Sequence, residues 1–175
     1  NFFLQSKPLG TGHAVREFFN SHNFDKKNYF LILYADTPFI KKTDLIDMKK
    51  KSKNCDIVIL GFKTKNNQGC GLIKQNSYGY VEKIIEYKNS KKNDRNIDIC
   101  NSGVMIMNYK SIRLLNKIKK NKLTKEFYLT DVIQIAKNKN LTIGIVISKS
   151  EIRSRGINDL KTFYRNVLFF KKRFK

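Results

Sequence analysis

The sequence predicts an α/β fold: a mostly parallel sheet with helices on both sides and one hairpin inserted. Three observations carry this. The runs "YFLILY", "DIVILGF" and "LTIGIVIS" are continuously apolar, as strands buried on both faces are, and too short for buried helices. Between them lie segments whose apolar residues fall at helical spacing. The order strand, helix, strand is what a right-handed crossover unit requires.

Each element follows in order. Residues 2–4, Phe2, Phe3 and Leu4, read as the end of a strand. After Gly12, apolar residues at Ala14, Val15, Phe18 and Phe19, with His22 completing the stripe, predict a helix. The run at 29–34 is a strand buried on both faces that ends at Asp36 and Pro38. "KTDLIDMKKKSK" is a helix with Thr43 as its cap and Leu45, Ile46 and Met48 inside. Residues 56–62 form the next buried strand. "GLIKQ" and "YVEKIIEY" flank a turn at 76–79 and predict a hairpin. "NIDICNSGVMIMN" is a long strand, "SIRLLNKIKK" and "YLTDVIQIAKNK" are helices, and 141–148 is a strand. "NDLKTFYRNVLFFKKRFK" closes the chain as a helix capped by Asn158 or Asp159. No internal repeat or Pro/Ser-rich linker divides it.

Composition bounds the function. With 41% apolar residues in 175, the chain is a globular domain or a large piece of one, not a disordered segment. No run approaches the roughly 18 apolar residues that span a bilayer, and no signal peptide opens the chain, so a cytoplasmic protein away from membranes is expected. The first residue is Asn1, not Met, which suggests truncation. The net charge is +22, from 36 Lys and Arg against 14 Asp and Glu. The basic runs, such as "KNSKKNDR" and "KIKKNKLTK", contain almost no aromatics to stack bases, so anionic small ligands are expected and nucleic acid is not. Cys55, Cys70 and Cys100 are widely spaced and only two His are present, so no zinc site is read. The cysteines fit three small, semi-buried residues in a reducing cytosol.

Several polar residues could carry chemistry. Asp36 follows a buried strand, where open α/β sheets bind ligands; it could hold a divalent cation or only cap a turn. Gly10, Thr11 and Gly12 stand where a strand hands over to a helix, a place suited to anions or to a tight turn. Gly69 and Gly71 bracket Cys70 in a polar loop, which fits a turn or a backbone pressed against a ligand. Asn101, Ser102 and Gly103 interrupt an apolar strand, and a buried Asn needs hydrogen-bond partners. Glu86 ends the hairpin.

Taken together and in order, "QSKPLGTGHAV", "LILYADTPFI", "GCGLI", "VEKIIEYK", "RNIDICNSGVMIM", "EFYLTDVIQIA" and "RGINDL" resemble the uridylyltransferase domain of the bacterial bifunctional UDP-N-acetylglucosamine pyrophosphorylase/glucosamine-1-phosphate N-acetyltransferase family. Single motifs are loose; seven collinear ones spanning nearly the whole chain are specific. The resemblance implies a Rossmann-like nucleotide-diphospho-sugar transferase fold of the GT-A type. It implies synthesis of UDP-N-acetylglucosamine and pyrophosphate from UTP and N-acetylglucosamine 1-phosphate with Mg2+, in support of peptidoglycan and lipopolysaccharide. A related sugar-1-phosphate nucleotidyltransferase and an inactive remnant that at most binds sugar nucleotide are the alternatives.

The same resemblance implies residue roles. Gln5, Gly10 and Thr11 would face the base, with Tyr34 and Asp36 also at the nucleotide. Asp36 and Asn158 would bind magnesium. Gly71, Glu86, Asn101, Glu126, Tyr128, Thr130 and Asn158 would surround the sugar phosphate. Ala35 replaces the family's usual Gly, and Leu72 stands where the family has a basic residue. The family's glycine-rich phosphate loop and catalytic Lys would precede Asn1, so residues 1–157 are expected to be a partial, N-terminally incomplete nucleotidyltransferase domain. Residues 158–175 would be a helix leading to a second domain, through which the family oligomerises.

Overall fold

The computed structural model describes residues 3–171, so Phe2 of the expected 2–4 strand and the last four residues of the expected final helix lie outside it. Among the described residues, six strands form one sheet: β1 (Tyr29–Ile32), β2 (Ile57–Lys63), β3 (Gly71–Gln75), β4 (Val81–Glu86), β5 (Ile99–Asn108) and β6 (Ile143–Ser148). The longer helices are α1 (Thr11–Asn20), α2 (Lys42–Lys51), α4 (Asp131–Lys137) and α6 (Leu160–Lys171), with single-turn helices α3 (Tyr109–Ile112) and α5 (Glu151–Ser154). Phe3 and Leu4 are not in a strand. The helix expected around 111–120 is shorter than its periodicity suggests, an α-turn followed by a 3-10 turn at Arg113–Lys117.

The sheet runs β4-β3-β5-β2-β6, with β1 paired to β5. It is mixed, not mostly parallel: β2–β6 is parallel and the other pairings are antiparallel. The crossover from β1 through α2 to β2 is present, because both strands oppose β5 and therefore run in the same direction. β5 lies between them and reverses the pairing. A continuous apolar run reports burial on both faces and says nothing about strand direction, which is why the composition misled here.

Alternation along the central strands builds two cores. Ile57 and Ile59 of β2, with Met105 and Met107 of β5, meet Phe19, Ile112, Val132, Ile133 and Ala136 from α1, α3 and α4. Val58, Leu60, Val104 and Ile106 point the other way, onto Met48 of α2. Helices thus cover both faces, as expected. β1 departs from its predicted double burial: Tyr29, Leu31 and Leu33 are 54%, 45% and 52% exposed. Among the described residues it pairs only with β5, so it is an edge strand, and apolar side chains do not supply the neighbour that would bury them.

Thr43 does not cap α2. The helix begins at Lys42 after an extended Lys41 that makes no side-chain cap bond. Its first turn is instead pinned by Asp44, buried and accepting a 2.9 Å hydrogen bond from the Ser148 hydroxyl at the end of β6. A carboxylate there also faces the positive end of the helix dipole. At the start of α6, the Asp159 carboxylate accepts from the Thr162 amide at 2.6 Å, which selects Asp159 of the two expected caps.

The middle of β5 is irregular, and this positions the site. Ile59 pairs with Met105, but Gly61 pairs with Asn101, so Leu60 alone faces Ser102, Gly103 and Val104. The Leu60 carbonyl accepts from the Ser102 hydroxyl at 2.8 Å, and that hydroxyl accepts from the Val104 amide at 3.2 Å. Gly103 takes φ +85°, and a methyl there would lie 2.6 Å from the Tyr34 ring. β1 pairs with β5 beyond this break, and β3 pairs before it at Cys100. A gap opens between them.

Ser102→Ala leaves a buried carbonyl and amide without their partner and is expected to destabilise the fold by about 1–3 kcal/mol. Gly103→Ala is expected to lose at least as much, since a strained φ alone costs about 1–3 kcal/mol before the clash with Tyr34. Urea unfolding of both variants, compared at equal m-value, measures these losses.

Candidate functional site

The gap in the sheet opens into a cleft of about 570 Å³ at the carboxyl ends of β1, β2 and β6. This is where an open α/β sheet is expected to bind ligands. Nine of the residues expected from sequence line it: Thr11, Tyr34, Asp36, Gly71, Glu86, Asn101, Tyr128, Thr130 and Asn158. They come from separate parts of the chain and are brought together by the break in β5.

One wall is built around Tyr34. Its ring lies against Gly103, and the Thr11 side chain neighbours its hydroxyl. Thr11 Oγ1 in turn accepts from the Leu129 amide at 3.1 Å. Burial holds the Tyr34 hydroxyl above its ordinary pKa; the neighbouring Thr11 side chain opposes this, and the charges of Asp36 and Glu86 reinforce it. The Tyr34 carbonyl accepts from the Thr37 amide at 3.2 Å, which closes a turn and presents Asp36 to the cleft.

The glycines flanking Thr11 have a packing role. A methyl at Gly10 would lie 2.7 Å from the Phe127 carbonyl, and one at Gly12 would lie 3.0 Å from the same oxygen. The Gly12 amide donates to that carbonyl at 2.8 Å, so the second amide of α1 is already committed. Gly10 does not line the cleft, and neither do Gln5 and Glu126. Gln5 Nε2 is held 2.8 Å from His13 Nδ1 and donates to the Gly10 carbonyl at 3.4 Å.

The opposite wall brings Gly71, Glu86 and Asn101 together. Gly71 pairs with Glu86 across the hairpin. A methyl at Gly71 would lie 3.5 Å from Asn101 Cβ and 3.7 Å from Glu86 Oε1. Asn101 Oδ1 accepts from the Gly103 amide at 3.1 Å, which leaves its amide nitrogen for the cleft. The Glu86 carboxyl is raised above its ordinary range chiefly by burial; Lys88 opposes this and Asp131 adds to it. Leu72, where the resemblance would place a basic residue, is fully buried and faces away into the core.

Asp36 and Asn158 meet at Gly156. A methyl on Gly156 would lie 2.6 Å from Asp36 Oδ2 and 3.2 Å from Asn158 Nδ2, and the Ile157 amide donates to the Asp36 carbonyl at 2.9 Å. Asp36 Oδ1 is buried without a hydrogen-bond partner, and burial raises its carboxyl. Among the described residues no cluster of three or more His, Cys, Asp or Glu is assembled. One carboxylate with one amide suits magnesium, which commonly takes one or two carboxylates and fills its shell with water and phosphate oxygens.

Cations complete the cleft, and sequence reasoning missed them. Arg155, Lys161 and Arg165 line it beside Asn158. Arg155 bonds Glu151 Oε1 at 2.8 Å, the Asn66 carbonyl at 2.8 Å and the Gln68 carbonyl at 3.3 Å, tying the loop before β3 to α5. Gly156 was also missed. Arg155 and Gly156 belong to the quoted "RGINDL", and the glycine two residues before Asn158 was the signal available.

Comparison with known proteins gives a family. The nucleotidyl transferase family model matches residues 1–150. The chain is 34% identical over 170 residues to the bifunctional protein GlmU of Wolbachia pipientis, covering 96% of this chain and 39% of the relative. It is 36% identical over 147 residues to GlmU of Bartonella bacilliformis, covering 82% of this chain and 32% of the relative. The chain therefore spans well under half the length of the curated relatives it matches. A UDP-glucose pyrophosphorylase solved with UDP-glucose superposes with TM-score 0.71 at 15% identity, over 98% of this chain and 66% of that one. HddC from Yersinia pseudotuberculosis, complexed with GMP-PN, gives 0.66 at 17% identity, over 97% and 66%. At these identities the two structures establish the fold, a Rossmann-like GT-A nucleotidyltransferase fold. Among the described residues no helix is long and apolar enough to cross a membrane.

The raised carboxyl of Glu86 gives a pH signature. The folded chain binds this proton more tightly than the unfolded chain, so the group lowers stability as pH rises from the ordinary glutamate value through the raised one. Glu86→Gln is expected to be more stable than wild type above that window, with the difference vanishing below it. Urea midpoints of the two proteins across acidic and neutral pH check this.

Proposed function

The chain belongs to the nucleotidyl transferase family, and from that premise we propose that its cleft binds UTP and N-acetylglucosamine 1-phosphate for conversion to UDP-N-acetylglucosamine and pyrophosphate. The observation that carries this reading is the unpartnered, buried Oδ1 of Asp36 beside Asn158, in a cleft that also presents three cations. A buried carboxylate oxygen without a partner is unfavourable unless a ligand completes it.

In this reading an oxygen of the sugar phosphate attacks the α-phosphorus of UTP. The bond from that phosphorus to the bridging oxygen breaks, and pyrophosphate leaves. Such chemistry needs positioning and charge neutralisation more than a protein nucleophile. Asp36 and Asn158 would hold magnesium, which when bound supplies neutralisation of phosphate charge. Arg155, Lys161 and Arg165 attract the phosphates electrostatically. Thr11 and Tyr34 face the nucleotide. Gly71 lets the sugar phosphate approach the backbone beside Asn101 and Glu86, and Tyr128 and Thr130 close that side.

The resemblance of the collinear motifs to the uridylyltransferase domain supports this sugar and nucleotide over others. A second reading, a relative acting on another sugar 1-phosphate, is supported by the superposition on a UDP-glucose pyrophosphorylase.

Calorimetric titration of the chain with UDP-N-acetylglucosamine, with and without magnesium, tests both. Magnesium is expected to strengthen binding, and Asp36→Ala is expected to reduce its contribution by about tenfold or more, the range seen when groups supporting a metal are removed. Unchanged magnesium dependence in both Asp36→Ala and Asn158→Ala would sink the metal assignment. Tighter binding of UDP-glucose would favour the second reading.

A further inference from the structure

Two of the three cysteines meet at the wall of the cleft. Cys70 lies in the loop before β3, half-buried and facing the cleft. Cys100 is fully buried on β5, one residue before Asn101. Cys100 is paired across the sheet with Leu72 and packs with Phe62, Leu72 and Ile85, against which Cys70 also packs. Cys70 precedes Leu72 by two residues, which puts its side chain on the face of the sheet that Cys100 occupies. Arg155 Nη2 stands 3.3 Å from Cys70 Sγ. Neither thiol has a role in the proposed phosphoryl-type chemistry.

We propose that Cys70 and Cys100 are a redox-sensitive pair that closes to a disulfide in the wall of the cleft, with Cys70 as the attacking thiol and Cys100 as the resolving one. The co-reactant is a low-molecular-mass disulfide, RSSR. The Cys70 thiolate attacks one of its sulfurs, forming a mixed disulfide and releasing RS−, which takes up a proton. The Cys100 sulfur then attacks Cys70 Sγ, displaces the second RS− and gives up its proton to it. Two protein thiols are oxidised to one disulfide, and RSSR is reduced to two RSH.

The surroundings assign the two roles. The neighbouring Cys100 thiol and the Arg155 guanidinium hold the Cys70 thiol at about 7, against burial and the charge of Glu151. Thiolates with a donor and a cation beside them are the reactive ones. Cys100 is held well above the ordinary thiol range, first by the neighbouring Cys70 thiol, then by burial and by the Cys70 charge. Forming the mixed disulfide removes that charge, so the first step prepares the second. Cys100 needs no access to solvent, because its target is its own neighbour. Cys55 is the internal control: it is buried, and burial raises its thiol. The closed bond would tether the loop at 66–70 to β5 beside Asn101 and take the sulfur from Arg155, changing the wall that the sugar phosphate is proposed to meet.

The test is incubation of the folded chain with oxidised glutathione near neutral pH, followed by intact-mass analysis and non-reducing peptide mapping over time. The wild type is expected to lose two hydrogens, with a Cys70–Cys100 linked peptide and only transient glutathione addition. Cys100→Ser is expected to hold glutathione stably on Cys70, and Cys70→Ser to remain unmodified. Stable glutathione addition on the wild type overturns the pair, as does modification of Cys55 as fast as Cys70. Absence of any reaction in the natively folded wild type overturns it equally, so the proposal remains testable if the Cys100 variant does not fold.

Discussion

The Ser102 hydroxyl bridges the Leu60 carbonyl and the Val104 amide at the point where β5 leaves register with β2. Three residues of β5 there face one of β2, so backbone groups would otherwise be stranded in a buried layer. A single hydroxyl satisfies one donor and one acceptor, and the strand continues without leaving the sheet. The break lets β5 serve two partners on the same side, β3 before it and β1 after it. No straight strand would leave a gap between those partners. The cleft is that gap, and the residues that line it are the ends and bends of the strands around it.

The cleft pairs groups that do not stabilise the fold with groups that fix its geometry. Asp36 and Glu86 in the cleft, and Asp131 outside it, have carboxyls raised by burial, so each is held in the folded chain at some cost in stability near neutral pH. Gly103 and Gly156 are spaces kept empty: one admits the Tyr34 ring and the other the Asp36 carboxylate. Arg155 ties the loop before β3 to α5, and so links the hairpin wall to the segment carrying Asn158. Desolvated acids with rigid neighbours and cations nearby fit a site whose missing partner is polyanionic and carries a divalent cation.

Much of this was legible in the sequence, and the failures have physical causes. Strand positions followed from apolar runs, and both faces of β2 and β5 are buried as those runs suggested. Strand direction was not legible, because burial is the same for parallel and antiparallel neighbours. The exposure of β1 was not legible either, since Tyr29, Leu31 and Leu33 show what a strand could bury and not whether anything covers it. Asn101, Ser102 and Gly103 were visible as polar residues inside an apolar strand. Their joint role needed the register of β2. Thr43 looked like a cap by residue type, whereas Asp44 fixes α2 through Ser148, more than a hundred residues away.

The same distinction explains why glycine was a poor guide and the Asp–Asn pair a good one. Gly10 and Gly12 attracted notice as an anion-binding turn, yet both are glycine because the Phe127 carbonyl leaves no room for a side chain. Gly156 attracted none, and it is the residue over which Asp36 and Asn158 converge. A glycine in a sequence reports a close approach without saying what approaches. An acid after a strand and an amide before a helix state a chemistry, and a fold that brings them to one point turns two weak signals into a site.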